Sequence, residues 1–466
     1  MLVALFIYLA AQLAIGAWVS RRIRNEGDYL LAGRSLGYGL LTFSIFATWF
    51  GAETIIGSAG IVYDEGISAA SAEPFGYGLC LILMGLVFAV PLWRRKLTTL
   101  ADLFRQRFSR QVERVAALIL IPSSILWAAA QIRAFGHVVS IASGSFDVNI
   151  GITIAACFVI LYTAFGGLLA DAITDVIQSV ILILGIFVVA IAAIVNAGGA
   201  PAIANAMSDS ARVHLLPAGA SWLHVLEAWA IPVCGSVIAT ELVGRVIAAR
   251  SPKIAMRSSV FGGTLYIIVG LVPVLLGLVG AQLVPDLADP EQLLPALARL
   301  YLPVAFQAVF LGGLVSAILS TVDSTLLVSS GMLSHNLLVP ALRINDERTK
   351  VRFARGGVLV FGVMAYVLAI HATGVFALVE QASAFGSTGA LVAVCFGLFT
   401  NFGGSRAAMA TLTAGVVTYI GAVLIAAEVP FLISLGSAIG AYVLVGWTER
   451  RADLPEATPS AVLRAG

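Results

Sequence analysis

A chain in which apolar stretches of about twenty residues recur from one end to the other has few ways to fold. A membrane-spanning helix needs roughly 20 such residues. Stretches of this kind cover residues 2–20, 38–61, 74–93, 112–141, 150–168, 172–197, 221–243, 255–283, 303–338, 352–371, 375–400, 406–427 and 430–447. Composition points the same way: 60% of residues are hydrophobic, mean hydropathy is +0.99, and 11% are charged, against roughly 25% in a soluble domain. The expected fold is an all-α polytopic membrane protein with about thirteen transmembrane helices.

Basic residues mark the cytoplasmic face of such proteins. If the thirteen segments alternate, every Lys and Arg except Arg133, Arg212 and Arg299 falls in loops on one side or in the C-terminal tail. The N-terminus is then outside and the C-terminus cytoplasmic. The net charge of +2 reports this topology, not nucleic-acid binding. The first segment has no basic residues before it and is followed by Arg21-Arg22, which reads as a retained helix rather than a cleaved leader. Compact loops suggest a bacterial inner membrane. The cysteines Cys80, Cys157, Cys234 and Cys395 stand singly, without metal-ligand spacing.

No nucleotide-binding loop interrupts the short cytoplasmic segments, and no nucleophile stands with a base or a metal cluster. An ATP-driven pump and an intramembrane enzyme are therefore disfavoured, and no organic cofactor is expected. What remains is a carrier driven by an ion gradient, or a passive pore.

Residues 317–325 read Ala-Ile-Leu-Ser-Thr-Val-Asp-Ser-Thr inside the ninth segment. Polar groups at membrane depth are costly and usually face a bundle interior or an ion path, so this stretch is the first candidate ion site. Carriers are often built from inverted repeats whose first helices are broken by Gly or Pro. The second segment carries Gly51, Gly57 and Gly60 around Glu53, and the seventh carries Pro232 and Gly235. Five segments separate them, an odd offset that inverts orientation. The organisation expected is an N-terminal helix and loop (1–37), two inverted repeats (38–220 and 221–401), and two peripheral helices with a short tail (402–466).

At this point the chain resembles the sodium/solute symporters, which have the five-plus-five inverted-repeat fold of the leucine-transporter type. The resemblance lies in Asp28-Tyr-Leu-Leu-Ala-Gly-Arg34, Ala47-Thr-Trp-Phe-Gly-Ala-Glu-Thr54, Tyr162-Thr-Ala-Phe-Gly-Gly167 followed by Thr174-Asp-Val-Ile-Gln178, Arg245, and Ala317 to Ser324. It implies sodium as coupling ion, held by the carbonyls of Ala47, Phe50 and Ala317 with the Ser320 and Thr321 hydroxyls. Positions i, i+3 and i+4 share one helix face, which suits this set. Back-bonding of the two hydroxyls to their own helix is the ordinary alternative. The resemblance also implies a second ion site at Asp175, Asp323 and Ser324, where two carboxylates near the midplane would need a cation or proton between them.

The closest pattern is that of the choline carriers, through Trp49, Tyr77 and Trp127, because aromatic faces attract a cationic head. Ala239 stands where a further aromatic would complete such a cage. Glu53, Gln131 and Cys234 join these as candidate substrate contacts, and Glu73 and Glu241 add acidity nearby. The solute expected is an amine, a quaternary ammonium or an amino acid. Glu53 has two other readings: a coupling proton site, or an ion pair with Arg133. Glu380, Gln381 and Ser383 are candidate gate residues, and His137 and His371 candidate pH sensors. A sensor with a carrier-like fold and a proton-coupled carrier are the alternatives to sodium symport. The partners expected are a small solute and the lipid bilayer, with no nucleic acid, and the protein as a monomer or homodimer.

Overall fold

The computed structural model describes residues 2–452 apart from 145, 211, 217, 218, 220 and 373. The tail expected after 447 lies outside the described residues beyond 452. Among the described residues the chain is helical, and extended pairing is limited to two isolated bridges, Leu36 with Ala249 and Ile67 with Val213.

The first helix, α1, is Leu2–Ser20. Next come α2 (Tyr38–Trp49) and α3 (Ser58–Glu65), joined through a π-turn at Glu53–Gly57 and bent by 56°. α4 is Phe75–Arg94, α5 Arg110–Ser143 and α6 Val148–Asn196. The second broken element comprises α7 (Trp222–Ala230), a π-turn at Ile231–Gly235, and α8 (Thr240–Ala248). Then follow α9 (Pro252–Leu283), α10 (Val304–Met332), α11 (Glu347–His371), α12 (Val375–Ala384) and α13 (Ser387–Phe399). α14 (Ser405–Leu424) and α15 (Pro430–Ala452) close the chain.

Among the described residues ten helices are long and apolar enough to cross a bilayer, or eleven when the bent pair counts as one span. This is fewer than the thirteen segments expected. One reason is α6, a continuous element whose 49 residues would measure about 74 Å if straight. It is not straight: Gly167 has φ 64° and ψ 174°, and the Tyr162 hydroxyl meets Thr174 Oγ1 at 2.9 Å, so the chain folds back there. A Cβ at position 167 would also lie 2.9 Å from the Tyr29 ring, and glycine avoids both costs. The other reason is α1, whose described apolar part, Ile7–Ser20, is short.

Both breaks expected from Gly and Pro are present. α2 ends at Phe50, which has left the helical region (φ −87°, ψ 69°). The chain passes α7 through Pro232 in its π-turn and re-enters a helix only after Ala239 (φ −54°, ψ 137°). Backbone groups freed by such breaks are tolerated at membrane depth where protein surrounds them. Here α2 is enclosed by α6, α9 and α10. The peripheral pair is pinned by carboxylates borrowed from elsewhere. Glu449 accepts from the Gly404, Arg406 and Ala407 amides at the start of α14, at 2.6, 2.9 and 3.3 Å. Glu227 accepts from Phe431 and Leu432 at the start of α15, at 2.6 and 2.9 Å. Negative charge at a helix N-terminus satisfies its free amides and its dipole together.

Candidate ion and solute site

The broken helix has two faces, and the one toward α10 carries the candidate ion site. Ser320 Oγ donates to the Ala47 carbonyl at 2.6 Å and is 3.0 Å from the Ala317 carbonyl. Thr321 Oγ1 lies 2.9 Å from the Thr48 carbonyl and 3.1 Å from that of Ala317. The two hydroxyls reach across to α2 and also back along their own helix, as the back-bonding expectation has it. Ala47, Ala317, Ser320 and Thr321 are brought together at 0–1% exposure. Among the described residues no hydrogen bond joins Ser320 or Thr321 to Phe50, and the second carbonyl in contact is that of Thr48. This donor set is all oxygen and uncharged, which suits a hard monovalent cation.

Below this face lies a charged cluster that the spacing of residues did not reveal. Arg245 of α8 is fully buried, and its Nη2 reaches Asp171 Oδ2 at 2.9 Å, Asp175 Oδ2 at 3.2 Å and Ser324 Oγ at 2.5 Å. Its Nε donates to Ser44 Oγ at 2.9 Å, and Ser44 in turn donates to Asp175 Oδ2 at 2.5 Å. Ser324 lies 3.0 Å from Asp171 Oδ2. Of the expected second ion site, Asp175 and Ser324 thus share a guanidinium. Asp323 is not bonded to Arg245 but borders a small cavity with Asp171: Thr163 donates to its Oδ1 at 2.7 Å, and its Oδ2 has no partner among the described residues. Asp171 sits one turn before Asp175 on the same helix face, the signal that would have added it to the set.

The other face of the break, toward α4, α5 and α9, holds the aromatic residues. The Trp49 and Trp127 rings are 5.8 Å apart, Trp127 and Tyr77 6.1 Å, and Tyr77 and Tyr266 6.5 Å. Tyr266, which sequence reasoning missed, also meets Phe50 edge-on at 5.3 Å. Gln131 joins these residues to the break. Its Nε2 donates to Glu53 Oε2 at 2.7 Å and its Oε1 accepts from the Ala52 amide at 3.1 Å. Glu53 is 1% exposed, and Gly51 makes room for it, since a Cβ there would lie 2.5 Å from Glu53 Oε2. The pairing with Arg133 is not formed. Arg133 Nη1 donates to the Ala369 carbonyl at 3.1 Å, and Arg133 lines a cavity of about 340 Å³ with His137, Asp64 and Asp289.

Glu73 accepts from the Tyr266 hydroxyl, which also lies 2.5 Å from Thr54 Oγ1. Glu241 accepts from Ser124. Of the expected gate residues, Ser383 is buried with this group, 2.9 Å from the Tyr77 hydroxyl and 3.2 Å from Ser236 Oγ, whereas Glu380 and Gln381 are exposed. Cys234 is half-buried on the π-turn beside α7. A small cavity bordered by Trp127, Ala239, Glu241 and Ser383 opens on the inner side of the aromatic rings. His371 ends α11 on an exposed position.

The model of the sodium:solute symporter family matches residues 29–415. The human high affinity choline transporter 1 is 28% identical over 415 residues, covering 81% of this chain and 69% of that protein. An osmoregulated proline transporter of Bacillus subtilis is 26% identical, covering 79% of this chain and 77% of that one. Among solved structures, a sodium-coupled sialic acid symporter in a substrate-bound outward-open state superposes with a TM-score of 0.84 at 19% identity, covering 96% of this chain and 97% of that one. A nucleobase-cation-symport-1 family transporter in a closed conformation gives 0.60 at 16% identity, covering 91% and 93%. With the family match spanning most of its length and the fold shared with these carriers, the chain belongs to the sodium:solute symporter family and is a multi-pass membrane transporter, not an enzyme.

Proposed function

We propose that this protein imports a small organic cation together with sodium by alternating access. The observation that carries the proposal is the contact between the broken helix and α10. Breaking α2 at Phe50 leaves carbonyls of its last turn facing Ser320 and Thr321, while the same turn presents Trp49 to the aromatic group. Sodium bound by Ala47, Thr48, Ala317, Ser320 and Thr321 would draw α2 against α10 and so fix the position of Trp49 and Glu53. Binding of ion and solute is then coupled through one short piece of backbone.

A cationic solute suits the aromatic rings and the buried Glu53, and its relatives include choline transporters. Asp323, whose Oδ2 lies buried without a partner, is the residue on which a second cation or a proton would act. In this reading the chain crosses the membrane thirteen times, with α6 counted as two spans and α1 as one, the N-terminus outside and the C-terminus in the cytoplasm. Residues 38–220 and 221–401 form the two inverted repeats. An inward sodium ion gains about 2.3 kcal/mol per 100 mV before any concentration term, enough to drive uptake against a gradient.

The test is uptake of radiolabelled choline and ethanolamine into proteoliposomes under an inward sodium gradient. Accumulation that collapses when potassium replaces sodium supports the proposal. Uptake indifferent to sodium would move the coupling role to a proton, and solute binding without any uptake would leave a carrier-like sensor.

A further inference from the structure

The aromatic region contains polar atoms that its own residues leave unanswered. Glu53 Oε1 and Glu73 Oε2, both shut off from solvent, have no hydrogen-bond partner among the described residues. The Gly51 and Glu53 amides lie near the Glu53 carboxylate, yet neither makes a regular hydrogen bond to Oε1. Two donors are in the same condition, the indole Nε1 atoms of Trp49 and Trp127. These groups are linked. Glu53 follows Trp49 by four residues across the break at Phe50, and Glu73 lies against Thr54 and the Tyr266 hydroxyl, which also meets Thr54 Oγ1. Among the described residues no Lys, Arg or His forms an ion pair with either carboxylate.

Buried polar atoms without partners are uncommon in folded proteins and call for an explanation. Two open acceptors on acidic side chains ask for N–H donors on a cation, and two open indole donors ask for an acceptor oxygen. A quaternary ammonium answers only half of this. It satisfies the aromatic faces but has no N–H, so Glu53 Oε1 and Glu73 Oε2 would stay unpaired inside a drier site once it bound. A solute carboxylate would supply the oxygen but would face two acidic side chains with no base to offset them.

We propose that the transported solute is a small primary or secondary ammonium bearing a neutral oxygen, with its N–H groups received by Glu53 Oε1 and Glu73 Oε2 and its oxygen by the Trp49 and Trp127 indoles. This deepens the reading of the site as a sodium-coupled cation carrier and rests on it. Sites built to hydrogen-bond a polar group reject analogues that lack it far more strongly than apolar pockets reject a missing methyl. Glu53 and Glu73 are thereby the residues that separate N–H-bearing amines from alkylated ones.

The test uses the purified full-length protein and the series ethanolamine, N-methylethanolamine, N,N-dimethylethanolamine and choline, in which one N–H is lost at each step. Thermal stabilisation and calorimetric affinity are measured in sodium and in potassium. The expected result is affinity falling along the series in sodium, with ethanolamine at least about tenfold tighter than choline, the loss that follows from charge-assisted hydrogen bonds left unmade. Glu53→Gln should flatten the series by weakening the early members most. If that variant does not fold, the wild-type series decides alone. Choline binding as tightly as ethanolamine in sodium overturns the inference and leaves the cation carrier standing. Failure of the whole series to bind in sodium overturns both.

Discussion

The two faces of the broken helix are finished differently. Toward α10, the Ala47 and Thr48 carbonyls and the Ser320 and Thr321 hydroxyls answer one another directly. Toward α4 and α5, Glu53 Oε1 and the indole nitrogens of Trp49 and of Trp127 on α5 have no hydrogen-bond partner among the described residues. A self-satisfied set of neutral oxygens exchanges one set of contacts for another when a cation enters. A set with open carboxyl oxygens and indole donors gains contacts it did not have. The comparison implies that the ion face sets whether the helix is held in place, whereas the solute face sets what is held.

The largest expected effect tests the charged cluster beneath the ion face. Arg245→Gln removes the cation that stands on both Asp171 and Asp175. Breaking a buried pair by removing one partner costs about 3–5 kcal/mol, because the remaining charge is uncompensated. Thermal melts in detergent should show a marked fall in stability, recovered in part when Asp171→Asn is added. Equal stability of Arg245→Gln and the parent would mean that the cluster is not structural and that its carboxylates serve the ion path directly.

Next in size are the ion-face hydroxyls. Ser320→Ala and Thr321→Val each take one oxygen from the proposed sodium set and leave the fold's apolar packing in place. Loss of a hydrogen bond or ligand to a charged group is worth about 1.5–3 kcal/mol, so the sodium concentration for half-maximal uptake should rise by roughly tenfold to a hundredfold. Solute affinity at saturating sodium should change little. A variant that loses solute affinity while keeping its sodium dependence would break the division between the faces. Trp127→Phe makes the reciprocal test. It keeps a ring but weakens the attraction for a cation, an interaction of about 0.5–2 kcal/mol. Solute affinity should fall by about two- to tenfold with sodium half-saturation unchanged.

The residues of the face toward α10 were legible in the sequence and those of the other face only partly, for physical reasons, while sodium as their ligand is what the family resemblance implies. Ser320 and Thr321 follow Ala317 at helical spacing, and Gly51 and Pro232 mark breaks through backbone chemistry, so local pattern was enough. The partners of Arg245 come from three elements: Ser44 on α2, Asp171 and Asp175 on α6, and Ser324 on α10. Only packing brings these together. Tyr266 was invisible for a similar reason, being an aromatic on α9 whose role depends on meeting Glu73 and Thr54 from other elements. The reversal at Gly167 separates two apolar segments, as their spacing suggested, and its non-helical backbone (φ 64°, ψ 174°) divides the run Val148–Asn196 there.

A carboxylate built to completion supplies the control for Glu53, and it gives the smallest effect. Asp102, 2% exposed in the short helix Ala101–Arg107, accepts from the Thr98 and Thr99 amides at 2.7 and 3.2 Å, from Asn336 at 3.1 Å and from Arg105 at 3.1 Å, with His335 Nε2 at 3.3 Å. Burial pushes its carboxyl up, but His335 and the two threonine amides outweigh burial and hold it below the usual aspartate value. A depressed value in the folded state means that the stabilisation is present above the unfolded-state value, about 3.9, and fades as pH falls through the folded one. Stability of the parent should therefore drop on the acid side of about pH 4, where that of Asp102→Asn, already lacking the contribution, should drop less. Melting temperatures measured from pH 6 downward give the comparison. Parallel curves for the two proteins would show that completing a buried carboxylate contributes nothing here, and would remove the reason for treating the open oxygen of Glu53 as a demand for a ligand.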